Sequence, residues 1–393
     1  YGSLWHVCLL LCCDPSGISV VFFENGVFNY IKMEISIDSR SVNNPESTMF
    51  FALKGNNHDG HDYITGLYER GVRSFVVSEK RKEFEALEAK FYVVDDVLKA
   101  LQTYARTHRE KMKAEVVAIT GSNGKTIVKE WLYQLLSDDF AVYRSPRSYN
   151  SQVGVPLSLY GIEESTEIAL IEAGISRKGE MVRLESMIRP DVCIFTHLGD
   201  AHGENFASLQ EKLAEKAVLF RYCHAIIGRE GEALSYIASV ADKQAQVILW
   251  GEGDGVAVKS RTLGVTDKGR RVELTYKGNV FQINIPFPDE ASYENCMNAV
   301  CVLLMKGIAP ERIAEKVSRL QPIAMRMEIK EGINRCVLIN DYYNSDSASF
   351  HLALNTLTMQ DKAKSRTVVL SDFVDTGSDK DALYREIAEM LEK

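Results

Sequence analysis

VVAIT-GSNGKT-IVKEWLYQLL, residues 116–136, is a run of apolar β-formers, a glycine-rich turn and an amphipathic run that opens on lysine. The first part predicts a buried strand and the last a helix starting at Lys125. A helix start carries N–H groups without partners inside the helix and the positive end of its dipole. The N–H groups of Asn123 to Thr126 therefore make a nest for an anion. Lys125 adds a mobile positive charge, and the Thr126 hydroxyl suits Mg²⁺. Gly121, Ser122, Asn123, Gly124, Lys125 and Thr126 together read as a triphosphate cradle. Its spacing is shorter than the general phosphate loop: Gly121 and Gly124 are three apart, and Ile119 stands where the earlier glycine would fall.

Around this unit the chain keeps an α/β rhythm. Buried-strand runs at 168–173 (IALIEA), 192–196 (VCIFT), 224–228 (HAIIG) and 247–250 (VILW) are separated by stretches long enough for crossover helices, which predicts a parallel sheet. Residues 256–285 switch to period-two alternation around Lys277-Gly278-Asn279, the pattern of an antiparallel hairpin, and helices follow at about 292–307 and 310–319. Upstream, EISIDS, TMFFAL, RSFVVS and KFYVV alternate with helical text from Glu34 to about Lys113, while residues 1–32 carry no usable motif. Downstream, CVLIND (336–341), a helix at 347–357, TVVLSD (367–372) and a helix at 379–392 make a third series. Two strand–helix units are fewer than a free-standing domain of this type needs, so the chain is expected to stop inside its last domain. The expected division is 1–113, 114–319 and 320–393.

Composition narrows the function. With 393 residues, 46% hydrophobic and 25% charged, the chain is expected to form two or three globular domains. A net charge of −8 argues against a nucleic-acid surface, so an anionic substrate has to be met locally. The eight cysteines include no CxxC pair, which suggests neither a disulfide framework nor a zinc site and fits a reducing cytoplasm. Val7 to Cys13 is too short an apolar run to span a bilayer; it is expected to be a strand or an irregular start, and no membrane association is expected.

Further segments carry a resemblance. IDSRSV (37–42) with FFALKGNNHDGHDYI (50–64), RSYNSQVGVPLSL (147–159), EAGISRKGEM (172–181), THLGDAHGENF (196–206), YENCMNAV (293–300) and INDYYNSDSAS (339–349) join the short G-x-x-G-K-T loop. In this order they resemble the Mur ligases, in particular the type that adds D-alanyl-D-alanine. The D-Y-Y-N and L-S-D variants resemble the Bacteroidetes form fused to a C-terminal alanine racemase, a domain expected in the full-length parent. The resemblance implies a three-domain α/β architecture: a UDP-sugar-binding domain, a central ATP-binding domain with a parallel sheet, and a partial Rossmann-like domain.

It also implies roles. Glu172, at a strand end where ligands of open α/β sheets bind, resembles a metal ligand, a role that suits its hard oxygen. His202 resembles the second metal ligand. Lys216 matches the family lysine that can be carbamylated, which needs an unprotonated amine and hence a desolvated site; Lys212, one turn earlier, reads as a lysine of the solvated face. His197 stands where relatives often have Asn and receives no role. Asn295 matches the residue that meets adenine, Arg326 the arginine that reaches the nucleotide phosphates, and Asp341 the acid that touches ribose. Ser39 and Arg40 match the uridine-diphosphate-sugar end, and Asn150 and Ser151 the central substrate segment, with Ser151 replacing the second Asn of the family pair. Ser345-Asp346-Ser347 replaces Ala-Asn-Pro after Tyr343-Asn344.

The implied reaction uses ATP and Mg²⁺ to activate the carboxylate of UDP-N-acetylmuramoyl-tripeptide as an acyl phosphate, which the amine of D-alanyl-D-alanine then attacks. Lys125 and the metal would neutralise charge on the γ-phosphate, and closure of the third domain would bring Arg326 and Asp341 onto ATP. A monomer is expected. Two rivals stand beside this reading: another ligase of the superfamily, diamino-acid-adding or folylpolyglutamate-forming, and a fragment that binds nucleotide without turnover.

Overall fold

The computed structural model describes residues 20–23, 26–29, 33–55, 58–199, 205–323, 328–333, 336–340, 347–358, 365–370 and 380–392. The chain divides into two compact units, Tyr1–Lys111 and Met112–Lys393. The apolar run Val7 to Cys13 lies outside the described residues.

In the first unit, β1 (Val20–Phe23) and β2 (Gly26–Asn29) pair antiparallel. β3 (Glu34–Ser36), β4 (Thr48–Phe51), β5 (Ser74–Val77) and β6 (Lys90–Val93) form a parallel sheet in that order. β4 and β5 are buried throughout, as strands covered on both faces are. Phe50, Phe75 and Val77 pack with Ile64 and Leu67 of α1 (Ile64–Glu69), and α2 (Val97–Lys111) buries Ala100, Leu101 and Tyr104.

The loop after β4 is locked by polar contacts. His61 is buried; its Nε2 accepts from the Ser78 backbone N–H at 3.1 Å, so Nδ1 carries the proton and donates to Asp59 Oδ1 at 2.6 Å. Arg81 reaches Asp59 at 2.8 Å and Asp62 at 2.7 Å. Burial alone would push the Asp59 carboxyl up, but the His61 N–H groups and the Arg81 guanidinium outweigh it and hold the group below its ordinary 3.8, at about 2. A carboxyl depressed on folding stabilises the native state above its unfolded pKa, and that contribution disappears as pH falls through the folded one. Asp59→Asn is therefore expected to destabilise the chain at neutral pH. The gap from the unmodified protein should narrow from about pH 4 down to about pH 2. Urea melts across that range test it, and a gap independent of pH would refute it.

The second unit is built on nine strands in the order β8-β9-β7-β10-β11-β12-β13-β14-β15, counted along the chain. β7 (Glu115–Thr120) leads into α3 (Lys125–Leu136), β8 (Val142–Arg144), α4 (Gly154–Tyr160), β9 (Ile168–Glu172), α5 (Glu180–Ile188) and β10 (Val192–Phe195). α6 (Leu209–Ala217), β11 (Ala225–Arg229), α7 (Glu232–Val240) and β12 (Gln246–Gly251) complete the parallel part. β13 (Val258–Thr266) runs parallel to β12, and β14 (Gly269–Tyr276) and β15 (Asn279–Ile285) extend the sheet antiparallel. The expected hairpin is thus two strands of three, joined to the central sheet. Its turn has Lys277 at φ 49° and Gly278 at φ 82°, the paired positive values of a two-residue hairpin turn. The sequence reading missed β8, a three-residue edge strand too short to show a pattern.

α8 (Glu290–Met305) and α9 (Pro310–Ser318) close the core. Trp131 of α3 stacks on Phe287 with ring centroids 4.9 Å apart, and its indole N–H donates to Gln321 O at 3.0 Å. Beyond this, β16 (Glu328–Glu331) and β17 (Val337–Asn340) pair antiparallel, followed by α10 (Ser347–Thr358) and α11 (Lys380–Glu392), which share a small core around Phe350 and Ile387. The strand expected at 367–372 is not formed over its described part: residues 365–370 join no ladder and Val369 is 92% exposed. With no neighbouring strand among the described residues, the backbone there gains no cross-strand bonds and the β-formers stay in solvent.

Candidate active site

β7 lies between β9 and β10, with Ile119 level with Glu172 and Thr120 level with Phe195. The loops after these three strands therefore leave the sheet at one edge. From β7 the chain crosses to β8 and β9 on one side, while from β10 it continues to β11 on the other, which is the strand-order reversal where open α/β sheets bind ligands.

The loop Gly121–Gly124 is held against the chain after β10. The Ser122 N–H donates to His197 O at 2.7 Å, Ser122 Oγ donates to Gly199 O at 2.8 Å, and Thr196 Oγ1 donates to Asn123 O at 2.5 Å. Gly121 has φ 147° and Gly124 φ 85°. A Cβ on Gly124 would stand 2.2 Å from Asn295 Oδ1, so the α8 residue expected to meet adenine is packed directly on the loop. α3 starts at Lys125, as its sequence predicts, and Lys125 Nζ donates to Gly121 O at 2.9 Å and Ser122 O at 2.8 Å.

Glu172, fully buried at the end of β9, faces the same loop. Its Oε2 accepts from Thr126 Oγ1 at 3.2 Å and from Asn150 Nδ2 at 3.4 Å, and Thr126 Oγ1 lies 3.1 Å from Ser148 Oγ. Its Oε1 is 2.9 Å from Lys129 Nζ, an ion pair out of line for a hydrogen bond. The Thr126 hydroxyl and the Glu172 carboxylate are hard oxygen donors side by side, which fits a small divalent cation completed by phosphate oxygens and water. Among the described residues no group of three or more His, Cys, Asp or Glu could hold a metal.

α6 is capped by Ser208, whose side chain accepts from the Glu211 N–H at 3.1 Å, and it points two lysines inward. Lys216 Nζ donates to Gly121 O at 3.0 Å. Burial lowers the Lys216 pKa well below its ordinary value, and the nearby Lys125 and Lys212 charges lower it further. Lys212 corrects the sequence reading: it is 1% exposed, and its ammonium donates to Gly199 O. Lys212 and Lys216 are four positions apart, so both lie on the face that α6 turns to the two loops.

Of the other expected residues, Ser151 Oγ accepts from the Gly154 N–H at 3.1 Å, at the start of α4. Arg40, in the first unit, has a side chain 88% exposed and forks onto Asp38 at 3.0 and 2.8 Å; the Ser39 carbonyl accepts from Arg70 at 2.5 Å. His202, Arg326 and Asp341, with Tyr343, Asn344 and the Ser345–Asp346 part of the variant run, lie outside the described residues; Ser347 opens α10.

The Mur ligase middle domain matches residues 119–303, and the catalytic domain of the Mur ligase family matches residues 33–109. A UDP-N-acetylmuramoyl-tripeptide–D-alanyl-D-alanine ligase of Rickettsia prowazekii is 30% identical over 362 residues, covering 90% of this chain and 79% of that relative. The chain belongs to the Mur ligase family. MurF from Acinetobacter baumannii shares its fold with a TM-score of 0.80 at 24% identity, over 91% of this chain and 76% of the other. MurF ligase from Thermotoga maritima, solved in complex with ADP, gives 0.76 at 21% identity, over 92% and 82%. In this Mur ligase, sequence reasoning overlooked Lys129, Ser148 and Thr196. Lys129 left a signal: it falls in the buried row of α3 with Leu132 and Leu136, where a lysine without a partner would be costly.

Proposed function

We propose that this Mur ligase joins D-alanyl-D-alanine to the carboxylate of UDP-N-acetylmuramoyl-tripeptide, converting ATP to ADP and phosphate. The observation that carries the reading is the Gly121–Thr126 phosphate loop with the Glu172 carboxylate one hydrogen bond from the Thr126 hydroxyl. A carboxylate repels nucleophiles and would have to expel oxide. Transfer of the γ-phosphoryl group onto one of its oxygens, with cleavage of the β–γ bridge, removes both obstacles. The amine then forms the amide bond, phosphate leaves and the amine loses its proton. Such chemistry needs positioning and positive charge more than a protein nucleophile.

Each residue has a proposed part. Gly121, Ser122, Asn123 and Gly124 wrap the phosphates, and Lys125 swings from its loop carbonyls onto the γ-phosphate. Thr126, Glu172, His202 and Lys216 are the candidate holders of Mg²⁺, whose charge would offset that of the triphosphate. The lowered Lys216 pKa supports a carbamate there, because only the neutral amine adds CO₂. Asn295 faces adenine, Arg326 and Asp341 reach phosphate and ribose, Ser39 and Arg40 take the UDP-sugar end, and Asn150 and Ser151 line the peptide segment. We divide the chain functionally at 1–113, 114–319 and 320–393. ATP and a nucleotide-linked substrate place the reaction in the cytoplasm. Phosphate release should require ATP, UDP-N-acetylmuramoyl-tripeptide and D-alanyl-D-alanine together, and the product should have the mass of the tripeptide substrate plus the dipeptide minus water. Release indifferent to the dipeptide, or supported by a folate and glutamate instead, would overturn the assignment.

A further inference from the structure

Lys129 lies one turn into α3, fully buried, and joins three parts of the site. Its ammonium donates to Ser145 O at 2.8 Å and to Arg147 O, and stands 2.9 Å from Glu172 Oε1 and 3.2 Å from Glu130 Oε1. The segment it grips is sharply bent: Arg147 has φ 48°, a left-handed value that a non-glycine residue holds only when its surroundings impose it. Immediately after this bend come Ser148 and Asn150, whose side chains meet Thr126 and Glu172 Oε2.

A buried carboxylate is retained only with compensating charge or hydrogen bonds. Here the compensation is divided between its two oxygens. Lys129 sits on Oε1, and the hydroxyl and amide donors sit on Oε2 at the mouth of the phosphate loop. We propose that Lys129 is a positioning residue for the cation site: it occupies Glu172 Oε1, turns Oε2 toward the nucleotide as a single-oxygen ligand, and anchors the bend that brings Ser148 and Asn150 to that oxygen. The inference rests on the ligase reading above and adds a residue which that reading does not use. It also limits the carboxylate to one metal bond, because two-oxygen coordination would require the ammonium to leave a fully buried position.

A double-mutant cycle separates this role from simple structural support. Mn²⁺ binding to the enzyme–ADP complex is followed by electron paramagnetic resonance in the unmodified chain, Lys129→Met, Glu172→Gln and the double variant. Lys129→Met is expected to weaken Mn²⁺ binding about tenfold, the loss typical when the partner of a metal ligand is removed. In the Glu172→Gln background the same change should alter it less than about twofold, because the ligand being positioned is already gone. Affinity for ADP without metal should stay within about twofold throughout, a readout that collapse of the loop would move. Losses that multiply across the two sites, or no loss in Lys129→Met, overturn the proposal. If Lys129→Met does not fold, Lys129→Gln carries the same cycle with the same criteria. A failure of the unmodified chain to bind Mn²⁺ and ADP together would count against the ligase reading itself, and is distinct from an additive cycle.

Discussion

Lys125→Ala is expected to lower kcat/KM for ATP by about three orders of magnitude, with the melting temperature within a few degrees of the unmodified protein. The side chain sits at the first position of α3, where alanine is an excellent helix former, so local structure tolerates the change. What is lost is charge. Lys125 Nζ rests on the carbonyls of Gly121 and Ser122, at the inner lip of the loop, and a short swing carries it onto a bound phosphate. Charge on the γ-phosphoryl group spreads over its outer oxygens as the bond to ADP breaks, so a cation there favours the transition state over the ground state. The defect should therefore fall mostly on kcat, with ADP affinity reduced much less. Steady-state phosphate release and ADP titration separate the two. Turnover within about tenfold of the unmodified chain would remove Lys125 from the chemistry and with it the main support for phosphoryl transfer.

Much of the central fold was legible because parallel strands buried on both faces leave an unmistakable trace. The apolar runs at 116–120, 168–173 and 192–196 became β7, β9 and β10 with ends moved by a residue at most, and the Gly-to-Lys transition at 124–125 marked the start of α3. Short elements and long-range pairings left weaker traces. β8 has three residues, all half-buried, and the attachment of β13 to β12 spans only two residue pairs, so neither has a local pattern of its own. At 367–370 the opposite happened: β-forming side chains gave a strand pattern, and among the described residues no neighbouring strand meets it. Propensity describes what a segment prefers when a partner exists, and it carries no information about whether one does.

The site divides along the same line. The position of Glu172 beside the phosphate loop was readable because a strand end fixes where the next side chains leave the sheet. Lys212 was misread because the hydrophilic text of α6 looks like a solvated face, whereas the helix is pinned between two loops whose carbonyls need donors. A lysine can be buried when its N–H groups find carbonyl oxygens; here Gly199 O receives Lys212 and Gly121 O receives Lys216, both from loops distant in sequence. Lys129 belongs to the same class: its partners, Ser145, Arg147 and Glu172, come from other strands and loops. Sequence shows where a cation stands along a helix; only the assembled loops show what it touches.

Gly121→Ala is expected to damage both stability and nucleotide binding, which separates it from Lys125→Ala. With φ at 147° the position is strained for any residue with a Cβ. The added carbon would stand 2.0 Å from Thr196 Oγ1 and 3.0 Å from the His197 backbone N and O. Thr196 cannot simply turn away, because it is buried and its hydroxyl donates to Asn123 O, while His197 O receives the Ser122 N–H. Relief has to come from the loops moving apart, which breaks the contacts that shape the phosphate nest. Backbone strain of about 1–3 kcal/mol and overpacking of about 1–3 kcal/mol together give a destabilisation of about 2–6 kcal/mol. ADP affinity should drop by at least about a hundredfold, since a nest built from backbone N–H groups has no side chain to compensate. Thr196→Ala added to Gly121→Ala removes the nearest clashing atom and leaves φ unchanged, so it should recover part of the stability and little of the binding. Thermal melts and ADP titrations on both variants decide the matter. If Gly121→Ala binds ADP within about threefold of the unmodified chain, the loop does not hold phosphate through its backbone in the way this geometry requires.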